Sequence, residues 1–142
     1  MIIGNIISWK LRLRSTPDKV YRILSTDEGR ASFWAESANE LNGTIHFQFP
    51  DGQKYHSKIL QKLPGESFIL DYFNSTVEFR LSVSSDFTIL TLTNRDVDVT
   101  ELSEVNAGWV SVLMSLKCAC DHNVDLRNHD KAFAWDRGFV EN

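Results

Sequence analysis

Metal binding and general acid–base chemistry draw first on histidine and cysteine, and the chain has four of the former and two of the latter. Cys118, Cys120 and His122 are spaced by two within an expected helix, where each residue turns by about 100°, so their side chains splay apart instead of converging on one ion. The same rotation keeps the two thiols from bridging. His46 and His56 alternate with aromatic positions and read as solvated residues on the outer face of a sheet. His129 stands beside Asp130 with no second histidine or cysteine spaced to complete a site, which suggests a salt bridge. No Gly-x-Ser-x-Gly, Gly-x-Gly-x-x-Gly or Gly-x-x-x-x-Gly-Lys sequence occurs, so the usual nucleophile elbow and phosphate-cradling loops are missing. Lys10, Arg12 and Arg14 alternate with apolar residues, as the wet face of an amphipathic strand does.

Aromatic side chains are the remaining chemical resource. Phe33, Trp34, Phe47, Phe49, Tyr55, Tyr72, Phe79 and Trp109 fall at positions expected to point inward. Such a set either packs solid or walls a pocket for an apolar ligand.

The elements that carry these rings are marked by turn chemistry. Asn42-Gly43, Asp51-Gly52 and Pro64-Gly65 separate short runs rich in aromatic and β-branched residues, the pattern of an antiparallel meander. Strands are expected over residues 6–14, 45–49, 54–62, 67–73, 77–83 and 87–93, with Leu90 and Leu92 inward in the last. Thr16 followed by Pro17 predicts a helix start, with Val20, Ile23 and Leu24 on its apolar side. A second short helix is expected over residues 28–36, docked through Phe33 and Trp34. From Glu101 to Asp121, the apolar residues Val105, Trp109, Val112, Leu113, Leu116 and Cys120 recur at intervals of three and four, which predicts a long helix ending at Asn123.

With 142 residues, 42% hydrophobic and 24% charged, the chain has the size and composition of one folded domain. A net charge of -4 gives no broad attraction to nucleic acid. The longest nearly apolar run, Trp109 to Leu116, is far short of the roughly 20 residues that cross a bilayer. No basic segment leading into an apolar core opens the chain, so a cytoplasmic location is expected, and the sequons at Asn42 and Asn74 are read as chance. The order of elements predicts an α+β fold of the helix-grip type: a curved antiparallel six-stranded sheet wrapped around a long C-terminal helix, with two short helices after the first strand.

Particular residues then suggest a family. Pro17-Asp18-Lys19-Val20-Tyr21, Asp27-Glu28-Gly29-Arg30 and Phe33-Trp34 resemble the opening of START-like proteins, the SRPBCC or birch-pollen-allergen superfamily, and especially relatives of the heat-shock-protein ATPase activators. Ser75 to Leu81, Thr91-Leu92-Thr93-Asn94, and Gly108-Trp109 with Leu113 and Leu116-Lys117 resemble the later strands and final helix of that family. The segment from Asp125 to Asp130, with Trp135-Asp136 and Phe139 to Asn142, is similar to a tail carried by some small bacterial members.

The resemblance implies a helix-grip domain over residues 1–124 and a tail over residues 125–142 that docks on the domain or on a partner subunit. It implies binding of a small, mainly apolar molecule between sheet and helix. The expected lining is Trp34, Phe47, Phe49, Tyr55, Ser57, Tyr72, Phe79, Asn94, Trp109 and Leu113, with Tyr55, Ser57, Tyr72 and Asn94 as the polar contacts. No catalytic residue, cofactor or metal is implied, and a monomer is favoured over a homodimer. A chaperone-binding module of the stress response is the alternative, and a cyclase or hydratase using Tyr72 or Asp71 is the third reading.

Overall fold

The computed structural model describes all residues, Met1–Asn142. In chain order the elements are β1 (Ile2–Ile3), β2 (Ile6–Leu13), α1 (Pro17–Ser25), α2 (Asp27–Ala31), β3 (Ser37–Leu41), β4 (Thr44–Gln48), β5 (Lys54–Leu63), β6 (Ser67–Tyr72), β7 (Ser75–Ser84), β8 (Phe87–Arg95) and α3 (Leu102–His122). Two single 3-10 turns, Lys131–Phe133 and Trp135–Arg137, follow α3. The strands form one antiparallel sheet in the order β1-β2-β8-β7-β6-β5-β4-β3, and α3 packs against it. No helix is long and apolar enough to cross a membrane.

Eight strands stand where the sequence predicts six, and both additions have a physical reason. β1 is two exposed residues held by pairing with β2, too short to show any period. β3 has the sequence Ser-Ala-Asn-Glu-Leu, which has little β propensity of its own. It is fixed from outside: Ala38 pairs with Phe47 in β4, the Glu40 N–H donates to Asp27 Oδ1 at 2.8 Å, and Arg30 Nε donates to the Ala38 carbonyl at 2.9 Å.

α2 ends at Ala31, earlier than the expected residue 36. Gly29 lies against α1 so closely that a Cβ there would sit 2.2 Å from the Ile23 carbonyl oxygen, which ties this residue to glycine. The chain then leaves the helix, and Phe33 and Trp34 drop into the core at 1% and 4% exposure. The Arg30 guanidinium is fully buried, bonded to the Ala38 and Leu24 carbonyls and paired with Asp27 at 2.6 Å. Burial lowers its pKa, against the opposing charges of Asp27 and Glu40.

Other local expectations hold. The Thr16 hydroxyl accepts from Lys19 N at the start of α1, and Asn123 closes α3 in the left-handed region at φ 53°. Leu90 and Leu92 are fully buried. Trp109, Leu113, Leu116 and Cys120 of α3 face the sheet, and burial pushes the Cys120 thiol up to about 12. α3 is pinned along β2: Trp9 Nε1 donates to Asn106 Oδ1 at 2.9 Å, and the Asp121 carboxylate accepts from the N–H groups of Arg14 and Ser15. Burial opposes ionisation of Asp121, but these bonds outweigh it and lower its pKa.

Candidate functional site

The end of the sheet that carries the β6–β7 turn and the C-terminal end of β8 stands opposite the first half of α3, and a cavity of about 410 Å³ lies there. Its wall is built from rings. Trp34, Tyr72 and Trp109 touch one another with centroids 5.4 to 5.8 Å apart, and all three line the space. Behind them Phe47 packs on Trp34 at 4.9 Å, and Phe79 packs on Trp34 at 5.4 Å and on Trp109 at 6.0 Å. This second row belongs to the packed core behind the wall.

Polar groups tie the wall together. Trp109 Nε1 donates to Asn94 Oδ1 at 2.9 Å, the Asn94 amide donates to Ser75 Oγ at 2.8 Å and to the Thr76 carbonyl at 3.1 Å, and Ser75 Oγ donates to the Tyr72 carbonyl at 2.6 Å. Asn94 is fully buried and both ends of its amide are engaged. The Tyr72 hydroxyl accepts from Trp34 Nε1 at 3.1 Å and donates to no protein acceptor, so its own proton is free for another partner. Burial raises the Tyr72 pKa well above that of an ordinary phenol, with the Trp34 bond opposing, so the group is a neutral O–H near pH 7.

Of the residues that sequence reasoning nominated, Trp34, Phe49, Tyr72, Asn94 and Trp109 line the cavity. Phe47, Tyr55, Ser57, Phe79 and Leu113 are not in its wall. Phe47, Phe79 and Leu113 belong to the packed core, and Ser57 is buried with its hydroxyl donated to the Asp71 carbonyl. Tyr55 stacks on Phe73 at 4.3 Å, and its hydroxyl reaches Asp71 at 3.4 Å. Asp71 also lies outside the wall and accepts from the Lys58 N–H at 2.9 Å.

Several lining residues carried no signal strong enough to nominate them. Gly108 sits inside α3 on the cavity wall, and a Cβ built on it would meet no atom within 4 Å. A glycine set within the continuous apolar period of α3 is its trace in the sequence. Asp51, Asp98, Glu101 and Glu104 also line the cavity, and no lysine, arginine or histidine does.

The tail contributes Trp135 and Asn142 to the wall. Trp135 Nε1 donates to Glu104 Oε1, and the Ser111 hydroxyl donates to the Val140 carbonyl. Upstream, the largely buried Arg127 donates to the Ala35 carbonyl at 2.9 Å and the Ala31 carbonyl at 2.5 Å, and it pairs with Asp125 at 2.9 Å. His129 bridges Glu36 at 2.7 Å and Asp125 at 2.8 Å, not its neighbour Asp130.

His46 and His56 face each other across β4 and β5 with ring centroids 4.1 Å apart. A separate groove of about 850 Å³ runs between α1, α2 and the end of α3, but its lining is chiefly polar and includes no nominated residue.

No family model and no curated protein matches the sequence. Solved structures do match in shape. The protein SSP2350 from Staphylococcus saprophyticus has a TM-score of 0.75 at 20% identity, covering 86% of this chain and 96% of its own. Aha1 from Colwellia psychrerythraea, solved as a dimer, has a TM-score of 0.75 at 21% identity, covering 86% of this chain and 98% of its own. CalU16 from Micromonospora echinospora has a TM-score of 0.67 at 24% identity, covering 80% of this chain and 72% of its own. At these identities the likeness is one of fold: an antiparallel sheet gripping a long C-terminal helix.

Proposed function

We propose that this chain binds a small, flat, mainly apolar molecule in the cavity between the sheet and the first half of α3. The observation that carries the reading is a cavity of about 410 Å³ walled by Trp34, Tyr72 and Trp109, with the Tyr72 proton uncommitted. Small-molecule sites commonly combine such a volume with apolar walls and a few placed polar groups. The rings offer apolar and aromatic contact, and the neutral Tyr72 hydroxyl donates to a carbonyl or hydroxyl on the ligand. Asn94 positions Trp109 and is itself saturated. Trp135 closes the wall from the tail.

Gly108 supports the same reading. Glycine in a helix interior costs about 1 kcal/mol relative to alanine, and the space beside it is open, so the residue maintains room instead of relieving a clash.

The test is titration with N-phenyl-1-naphthylamine, a neutral probe that fluoresces in apolar surroundings. We expect saturable binding with one site per chain, abolished by Gly108→Phe. An absence of saturable binding, or binding unaffected by Gly108→Phe, removes the cavity from the account.

The residues that resemble heat-shock-protein ATPase activators support a second reading, a protein interaction module that engages a chaperone. That reading makes partner binding depend on outer surface residues and leaves it insensitive to Gly108→Phe. Of the two residues nominated for catalysis of the cyclase or hydratase kind, Tyr72 lines the cavity as a neutral hydrogen-bond donor and Asp71 lies outside the wall.

A further inference from the structure

We infer that the molecule taken by the cavity carries a positive charge, an ammonium group on an aromatic or apolar body. The inference rests on the reading of the cavity as a binding site: the ring wall makes the site, and the carboxylates around it decide the charge of what enters. Asp51, Asp98, Glu101 and Glu104 bring four negative charges to one lining that contains no basic side chain. None of the four takes part in a salt bridge. Asp98 accepts from the Thr100 N–H and hydroxyl, which lowers its pKa and keeps it ionised. Glu101 stands at the start of α3 without capping it, and its side chain makes no hydrogen bond. The N-terminus of α3 contributes a partial positive charge of about 0.5, which four carboxylates exceed several-fold.

The walls add a second, independent preference of the same sign. Indole and phenol rings present a negative face, and an alkylammonium over such a face is attracted most where water is excluded. Trp34, Tyr72 and Trp109 meet in one cluster, and Trp135 closes the wall beside Glu104. A carboxylate ligand, a fatty acid among them, would enter against both the rings and the rim. An amine gains from both.

The test uses three probes on one ring system: 2-naphthylmethylamine, 2-naphthylmethanol and 2-naphthoate. Kd for each is measured by quenching of tryptophan fluorescence at low and at raised ionic strength. The amine is expected to bind about tenfold more tightly than the alcohol, with the naphthoate weakest and the gap narrowing with salt. Asp98→Asn combined with Glu101→Gln should reduce the amine-to-alcohol ratio to about twofold or less, with the alcohol reporting that the cavity is intact. Glu66→Gln, in the turn at the opposite end of β6, should leave the ratio unchanged and so separates the rim from net charge. Naphthoate binding as tightly as the amine overturns the inference, and so does a ratio that survives the double variant. If the alcohol binds and the amine is no better, the charge preference alone falls. If none of the three binds, the cavity reading falls and takes this inference with it.

Discussion

The indole N–H of Trp109 is bonded to Asn94 Oδ1 at 2.9 Å, joining the long helix to the last strand through a pair of buried side chains. This contact holds one wall of the cavity in place. It also makes the wall sensitive to loss of the donor as well as loss of the ring.

Trp109→Phe keeps an aromatic ring but leaves Asn94 Oδ1 without its partner, at an expected cost of about 1–3 kcal/mol. Trp109→Ala also removes a large core side chain and should cost about 3–5 kcal/mol. Urea denaturation measures both. A loss below about 1 kcal/mol for the alanine variant would contradict the packing of α3 against the sheet.

Gly108→Ala is expected to raise helix stability by about 0.5–1 kcal/mol while weakening ligand binding, because the added methyl takes cavity space. Melting temperature and probe Kd, measured on the same preparation, read the two effects. Stability that rises with binding unchanged would mean that the ligand does not reach α3.

Much of this architecture is legible in the sequence, and the exceptions share a cause. Alternation in residues 6–14 and 77–83, the Thr16-Pro17 start and the three-and-four spacing of α3 are local signals, and local physics decides them. β3 is made by Arg30, Asp27 and the β4 ladder, none of which shows in the composition of residues 37–41. Inward-facing periodicity likewise names a face and not a depth. It therefore nominated Phe47 and Phe79 together with Trp34 and Tyr72, although the first two lie in the row behind the cavity. The acidic rim is not legible in the sequence because Asp51 is far along the chain from Asp98, Glu101 and Glu104, and only the fold brings them around one cavity.

The tail latch should depend on pH. The bond to Glu36 raises the His129 pKa above its ordinary 6.5, with burial opposing and Asp125 adding to the rise. The stabilisation is therefore complete below about pH 6.5 and is lost as pH rises through the higher folded value. Asp125 behaves in the opposite sense: burial works against its ionisation, but bonds from Arg127 and His129 hold it down at about 2, so its contribution is present above 3.8 and fades as pH falls toward 2. The melting-temperature difference between wild type and His129→Gln should be largest near pH 5 to 6, between those limits, and shrink toward about pH 8. A difference that grows with pH would contradict the bridge.

Truncation after Asn123 removes the Arg127 guanidinium from the Ala31 and Ala35 carbonyls and Trp135 from the cavity wall. We propose that the tail docks on its own chain, so the truncated protein should melt lower and bind the neutral probe more weakly, while light scattering reports a monomer for both forms. A full-length dimer that truncation splits would mean that the tail is exchanged between two chains.

The most direct test of the account uses the four tryptophans. Trp34, Trp109 and Trp135 line the cavity, whereas Trp9 is bonded to Asn106 outside its wall. Titration of 15N-labelled protein with N-phenyl-1-naphthylamine should shift the indole N–H resonances of Trp34, Trp109 and Trp135 together along one saturation curve and leave that of Trp9 in place. Shifts confined to Trp9, or no saturable shift at any indole, would contradict a ligand seated between the sheet and the long helix.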